Sequence, residues 1–399
     1  MKAKTVKFKI ADRWPLTVDG VGAKAIMALV ANHTLIVGQS RSGKTNAARR
    51  IVEEVLLWTD ARVVILDPNG DFRWLNTPAE KRDDRFARQW SAIGSIENVA
   101  EDGQSWGISW AKLTLEEMAA FLRLTPKENF AEYRHLRNHY SFEKEKHKRN
   151  LGTLKSFIDS EYLKIGEGEE LERYRLQLLQ LDNLKLFATD PSKDLESELT
   201  GDHRAVVIDL TTDDEQKRSI IAARSLEALW RDGEKRRRRF LSRKRKLRRD
   251  PWVGTVVLID EGHLFAPTET ETEDPQKRLV RQRVQRFADQ GKKLNLYLIV
   301  ITQQPGKLHR DVLSEFDNRI ILRMNERLSL KVLEDTYGGL RGRYDGALTF
   351  TPGEALIEGA LLSDENPPPS TPRGIRFEIA RTREGGGTPQ NEWASPKLV

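Results

Sequence analysis

Gly38-Gln39-Ser40-Arg41-Ser42-Gly43-Lys44-Thr45 follows the spacing G-x-x-x-x-G-K-[ST] in full, and the chemistry that spacing serves is the wrapping of a phosphate. The apolar run TLIV precedes it, and NAARRIVEEVLLW, opening at Asn46, has the spacing of a helix behind it. A loop between a strand and a helix turns its backbone N–H groups inward and sets the positive end of the helix against an anion. Gly38 and Gly43 let the chain come close to the phosphates, while Ser40, Arg41, Ser42 and, at the start of the helix, Asn46 make the rest of the nucleotide cradle. Lys44 would neutralise the β- and γ-phosphates, and the Thr45 hydroxyl would complete a Mg2+ shell. The expected ligands are therefore ATP and Mg2+.

A second group of residues supplies what hydrolysis needs. Val256-Val257-Leu258-Ile259-Asp260-Glu261 carries two acids at the end of four apolar residues, the end at which an open α/β sheet meets its ligand. Asp260 there can hold Mg2+ through water, and Glu261, one residue further, can polarise the attacking water. Gln303 ends another apolar run. It can hydrogen-bond the γ-phosphate or the attacking water without carrying charge, or simply stand as an exposed turn residue ahead of Pro305.

These residues need a sheet to bring them together. Short apolar runs at Thr34–Val37, Arg62–Leu66, Ala205–Asp209, Thr255–Asp260, Asn295–Thr302, Arg319–Met324 and Gly353–Glu358 lack polar alternation and read as buried strands. Between the second and third, LTLEEMAAFLRL and GEELERYRLQLLQLDNLKLF have helical spacing. The expected fold class is α/β, with a mostly parallel central sheet and an α-helical insert. The expected organisation is an N-terminal part of the core over 1–111, the insert over 112–200, a C-terminal part over 201–362, and a Pro/Gly-rich flexible tail over 363–399.

Further stretches resemble one family of P-loop proteins, the HerA–FtsK ATPases of the HerA type. Asp67-Pro68-Asn69-Gly70-Asp71 resembles its D-P-x-G-[ED] motif. Asp260-Glu261-Gly262-His263-Leu264-Phe265 resembles its D-E-A-H-x-F segment, and Ile301-Thr302-Gln303-Gln304-Pro305 its S/T-Q-R-P sensor. Asn318–Arg323 and Leu348–Ala355 look like its closing strands. The likeness covers roughly 31–75, 203–215 and 253–360 and leaves the insert unmatched in detail. It implies a RecA-like P-loop core, a homo-oligomeric ring that is a hexamer, and translocation or unwinding of DNA. HerA-like proteins of anti-phage defence imply the alternative of an assembly ATPase. Such a ring scaffolds or regulates a separate effector protein, a nuclease or NAD-hydrolysing subunit. By the same resemblance Asp71 lies near the attacking water, although it could equally cap the turn after Pro68.

A ring also implies a cation supplied by the neighbouring subunit. The family carries G-R-K before its sensor strand, and here Gly291-Lys292-Lys293 stands instead. Either Lys292 serves as a point charge or Arg319 or Arg323 supplies a guanidinium. Arg41 also departs from the pattern, at a loop position the family gives to glycine. The family's archaeal helicases carry an N-terminal barrel, and the roughly 30 residues ahead of the P-loop are too few to close one. A partner is therefore expected to dock on the insert or the tail.

Composition narrows the remaining choices. The 399 residues contain no cysteine, which excludes disulfides, thiolate metal sites and cysteine nucleophiles. That, together with a start lacking the apolar stretch of a signal peptide, fits a cytoplasmic protein. No apolar run approaches the roughly 20 residues of a membrane span. Residues 235–249, KRRRRFLSRKRKLRR, hold eleven Lys or Arg and no acid, more than the whole net charge of +7. Such a run can contact DNA phosphates without reading sequence, dock a partner, or form a solvated helix extension. Glu269, Glu271, Glu273 and Asp274 form an acidic loop that could screen the basic elements or remain solvated. His135, His139 and His147 have helical spacing but no carboxylate partner, so no metal is expected there.

Overall fold

Apolar strands buried on both faces need helices on both faces, and that is the architecture of the computed structural model. It describes residues 23–79, 84–99, 106–142, 151–165, 169–187, 194–242, 253–268, 274–338, 341–362 and 371–384. Among the described residues nine strands form one sheet: β1 (Thr34–Val37), β2 (Arg62–Asp67), β3 (Ile96–Val99), β4 (Ala205–Asp209), β5 (Thr255–Ile259), β6 (Leu296–Thr302), β7 (Asn318–Leu322), β8 (Glu354–Glu358) and β9 (Arg373–Arg376). Their order is β3-β4-β2-β5-β6-β1-β7-β8-β9. The pairs from β3 to β7 are parallel, and β8 and β9 close the edge antiparallel.

Successive strand residues serve opposite cores. Leu35, Val37, Val64 and Leu66 join the core on one face, whereas Ile36, Val63 and Ile65 join that on the other. The latter face is covered by α1 (Ala23–Leu29), α2 (Lys44–Trp58) and α3 (Asp84–Ser91). All seven strands expected from the sequence are present within about two residues. Two others are additional. β3 reads IENV and is mostly solvent-facing, so it lacks the apolar signature of a buried strand. β9 lies inside the stretch expected to be a flexible tail. Its register on β8, with Ile375 opposite Ala355, gives it an ordered place that its Arg-Gly-Ile-Arg sequence does not advertise.

The described residues between β3 and β4 are mainly helical: α4 (Leu115–Phe121), α5 (Phe130–Phe142), α6 (Leu151–Ile165), α7 (Glu169–Asn183) and α8 (Leu195–Thr200). Leu136, Leu154, Ile158, Tyr174 and Leu178 from these helices belong to the same core as β1 and β2, so the insert packs on the sheet. Buried ion pairs tie it down. Glu117, fully buried and also part of the capping box that starts α4, accepts from Arg224 at 2.9 Å. Arg224 belongs to α9 (Glu215–Ser242), which lies beside α10 (Pro275–Gln290). Arg283 of α10 reaches Glu227 of α9 at 2.6 Å. The chain then passes through α11 (Arg310–Leu313) and α12 (Arg327–Tyr337) to the antiparallel edge.

Of the acidic loop, Asp274 caps α10 by accepting from Gln276 N, while Glu269, Glu271 and Glu273 lie outside the described residues. His135 and His139 are buried on α5, and His147 lies outside the described residues. Among the described residues no group of three metal-ligating side chains occurs, and no helix is long and apolar enough to cross a membrane.

Candidate active site

The strand order decides which residues can meet. β6 lies between β5 and β1, and β2 lies on the other side of β5. Because these strands are parallel, their C-terminal ends open on one rim. The phosphate loop leaves β1, Gln303 leaves β6, Asp260 and Glu261 leave β5, and Asp67 to Asp71 leave β2. Residues far apart in sequence thus become neighbours without any long side-chain reach.

The loop itself is tightly drawn. Gly43, at φ 96°, precedes α2, and a Cβ there would meet Gly353 N at 3.0 Å. A Cβ on Gly38 would strike Ser42 Oγ at 2.4 Å, so the cradle closes only on glycine. Arg41 holds φ 60°, the left-handed region. The family preference for glycine at that position therefore has a backbone cause, and Arg41 carries strain that glycine would not. Lys44 is 7% exposed and donates to Gln39 O at 2.8 Å. Burial lowers its ammonium below the ordinary lysine value, opposed by Glu261, Asp260 and Asp71. The Ser42 hydroxyl is buried and makes no hydrogen bond among the described residues.

The acids are arranged in two ranks. Thr45 Oγ1 donates to Asp71 Oδ2 at 2.8 Å. Asp67 receives the N–H groups of Asp71 at 3.1 Å and Phe72 at 2.8 Å, so it is Asp67, not Asp71, that secures the turn. Asn69 donates to Asp260 at 3.0 Å. Glu261 sits in the left-handed region at φ 46°, ψ 54°, unusual for a residue with a Cβ, and one of its oxygens accepts from Gln303 Nε2. Gln303 Oε1 in turn accepts from Ser40 Oγ at 2.7 Å, completing a line from the loop to the carboxylate. His263 Nδ1 stands 3.4 Å from Glu261 Oε2 and 3.2 Å from Thr302 Oγ1. Gly262 replaces the alanine of the family pattern where a Cβ would meet Val300 Cγ1 at 2.3 Å.

Burial, and to a lesser degree crowding, raises the carboxyls of Asp260, Asp67 and Asp71. Burial pushes Asp260 up to about 8, reinforced by the charges of Glu261, Asp67 and Asp71. Burial likewise lifts Asp67 to about 6 and raises Asp71. Buried acids held this close make a site that a divalent cation would relieve. The closed cradle, the buried Ser42 hydroxyl and this acid set together fit a Mg2+–nucleotide. Thr45 and Asp260 would be the residues to hold such a metal on this rim. Asp67, Asn69 and His263 carry no role of their own in the sequence reading, and the partnership of Ser40 with Gln303 is absent from it. The first two lie inside the Asp67–Asp71 motif, and only the fold shows their partners.

The candidate fingers separate. Arg323 follows β7 directly and its carbonyl accepts from Gln39 N at 3.0 Å, beside this chain's own phosphate loop. Its Nε is buried without a partner, and its guanidinium makes no ion pair among the described residues. Lys292 and Arg319 lie at the opposite ends of β6 and β7. Lys292 pairs with Asp317. Arg319 pairs with buried Glu358, donates to Phe316 O at 2.9 Å, and stacks over Tyr337 at 4.2 Å. Glu358 also receives Arg343 and Tyr344. This web makes Arg319 a structural residue first. Arg319→Ala is expected to cost about 2 kcal/mol, because it strips a partner from a buried carboxylate. Thermal melting checks this; a Tm equal to that of the parent would return Arg319 to the set of free cations.

A family model described as the helicase HerA central domain matches residues 23–229, and one described as the ATPase family associated with various cellular activities matches 197–324. The DNA double-strand break repair helicase HerA of Pyrococcus furiosus is 24% identical, the match covering 90% of this chain and 68% of that protein. Among solved structures, VirB4 of Thermoanaerobacter pseudethanolicus superposes with a TM-score of 0.60 at 15% identity, covering 92% of this chain and 96% of that one. The plasmid coupling protein TrwB in complex with ADP and Mg2+ gives 0.54 at 16% identity, covering 95% and 94%. These structures share the RecA-like P-loop ATPase fold.

Proposed function

The chain belongs to the HerA helicase central-domain family, and from that premise we propose that it is an ATP-driven motor that moves DNA as a homo-oligomeric ring. It is a P-loop ATPase by fold and family. The observation that carries the reading is the convergence of Lys44, Thr45, Asp260, Glu261 and Gln303 on one rim. The Pyrococcus relative is named a DNA repair helicase, and that name suggests DNA as the track.

The proposed division of labour follows from position. Loop N–H groups and Lys44 hold the phosphates and balance their charge. Thr45 and Asp260 would hold Mg2+, which when bound would further neutralise the phosphate oxygens. Glu261, fixed by Gln303, takes the proton of the attacking water, and Gln303 lies in reach of both the loop and that carboxylate. Asp71 positions Thr45. Arg323 offers charge from within the chain. Lys292, on the far side and paired with Asp317, would then be the cation to reach a neighbour, in a ring for which the family suggests six subunits.

A surface for DNA lies at the end of the sheet away from the phosphate loop. The described part of the basic run, 235–242, continues α9; residues 243–249 lie outside the described residues. Lys235 and Arg236 are paired with Glu196 and Asp232 at 3.4 and 2.7 Å. Arg237 and Arg238 are exposed and line a groove of about 410 Å³ with Trp230, Gln290 and Lys293. Cations so placed can contact phosphates irrespective of sequence.

Duplex DNA should therefore stimulate ATP turnover several-fold, and the stimulation should fall steeply between about 50 and 200 mM salt. Lys44→Ala should abolish turnover with or without DNA. Turnover indifferent to DNA, with a second protein co-purifying, would replace the motor by an assembly ATPase that scaffolds an effector such as a nuclease or NAD-hydrolysing subunit.

A further inference from the structure

The segment after β9 does not drift away from the sheet. Phe377 N donates to Gly353 O at 2.9 Å, and Gly353 N donates to Ser42 O at 2.9 Å, so the segment begins one step from the phosphate loop. Asn46, the residue after Thr45, then grips it on both sides of Ile379: its Nδ2 donates to Glu378 O at 2.9 Å and its Oδ1 accepts from Ala380 N at 2.8 Å. Further on, buried Glu53 accepts from Arg381 N and Thr382 N at 2.7 Å each, and Arg49 donates to Thr382 O. A side-chain amide and a carboxylate of α2 thus act as a partner strand, and residues 377–382 form a strap across the first turns of the helix.

Within this well-anchored strap Ile379 is 80% exposed, while Phe377, Ala380 and Thr382 are buried. The hydrogen bonds to Glu378 O and Ala380 N fix the backbone on both sides of Ile379 and leave its side chain open to a ligand. Its surroundings suggest what it is for. The strand order runs β5-β6-β1-β7-β8-β9, so the hydrolytic acids and the strap's origin flank the phosphate loop on opposite sides. A triphosphate whose γ end faces Glu261 must send its nucleoside the other way, past Thr45 and Asn46.

We propose that the strap is the nucleoside-side wall of the nucleotide site, with the Ile379 side chain packing against the face of the base. This rests on the phosphate-loop reading above and names what that reading leaves open, the contact that distinguishes a nucleotide from a bare phosphate chain. An apolar wall recognises any purine face and selects weakly between adenine and guanine. Asn46 and Glu53 act through the strap, as positioning residues.

The test compares binding of a non-hydrolysable ATP analogue and of inorganic tripolyphosphate, each with Mg2+, to the full chain. Ile379→Asp should weaken the analogue about tenfold, the scale of one apolar side chain's burial, and leave tripolyphosphate unchanged. Ile379→Leu should restore the analogue, and the corresponding GTP analogue should follow the same pattern. Equal affinity of parent and Ile379→Asp for the ATP analogue would overturn the proposal, as would a parallel loss of tripolyphosphate. A parent chain that binds neither ligand would instead overturn the phosphate-loop reading itself. The two failures are thus distinct.

Discussion

Glu261→Gln will lower ATP turnover by at least about 10²-fold, the scale of a lost general base, while nucleotide affinity stays within a few-fold of the parent. The amide has the shape of the carboxylate, so the left-handed backbone at φ 46° and the contact to Gln303 can persist. What disappears is the capacity to take a proton from water. Lys44 and Thr45, which hold phosphate and metal in the proposed mechanism, are untouched, so the variant should accumulate bound ATP. Single-turnover kinetics on the isolated complex separates binding from chemistry. Near-normal turnover would move the general base to Asp71, another acid of the rim, which already accepts from Thr45.

The fold class was readable because its determinants are local and redundant. Strands such as VVLID and LYLIVIT are apolar on both faces, and a sheet buried on both faces is the arrangement that tolerates them. Edge strands lack that signature: β3 is half polar, and β9 gains its place from register on β8, with α2 gripping the segment that follows it. Much of the candidate site was equally legible, since Gly38 to Thr45 and Asp260-Glu261 are contiguous motifs. Relations across the rim were not. Nothing in the sequence pairs Ser40 with Gln303, assigns the turn to Asp67, or sends Arg319 into a web around Glu358. Those contacts depend on strand order, which places β6 between β5 and β1 although it follows β5 in the chain. The glycine preference at position 41 reads as a family habit until the φ of 60° gives it a cause.

Asp260→Asn should abolish turnover and at the same time stabilise the nucleotide-free protein, raising its Tm by roughly 5 °C near neutral pH. Asp260 is 3% exposed and shares its surroundings with Glu261, Asp67 and Asp71. Burial and those neighbours raise its carboxyl from 3.8 to about 8, so the folded state holds a proton that the unfolded state releases. The sign follows. Below about pH 4 both states are protonated and Asp260 costs nothing; as pH rises towards 8 the unfolded state alone ionises, and stability is progressively lost. Asparagine cannot ionise and can still accept from Asn69, so its advantage should grow through that window and level off above it. Urea unfolding across pH 4 to 9 measures the difference directly. A constant gap between parent and variant, or a less stable variant, would show that the acid cluster is not strained in the free protein. Adding Mg2+ and ATP should reverse the ranking, because only the parent gains the binding energy of the loaded site. The residue that most burdens the empty fold would then be the one that makes the fold a motor, a trade that active sites commonly make.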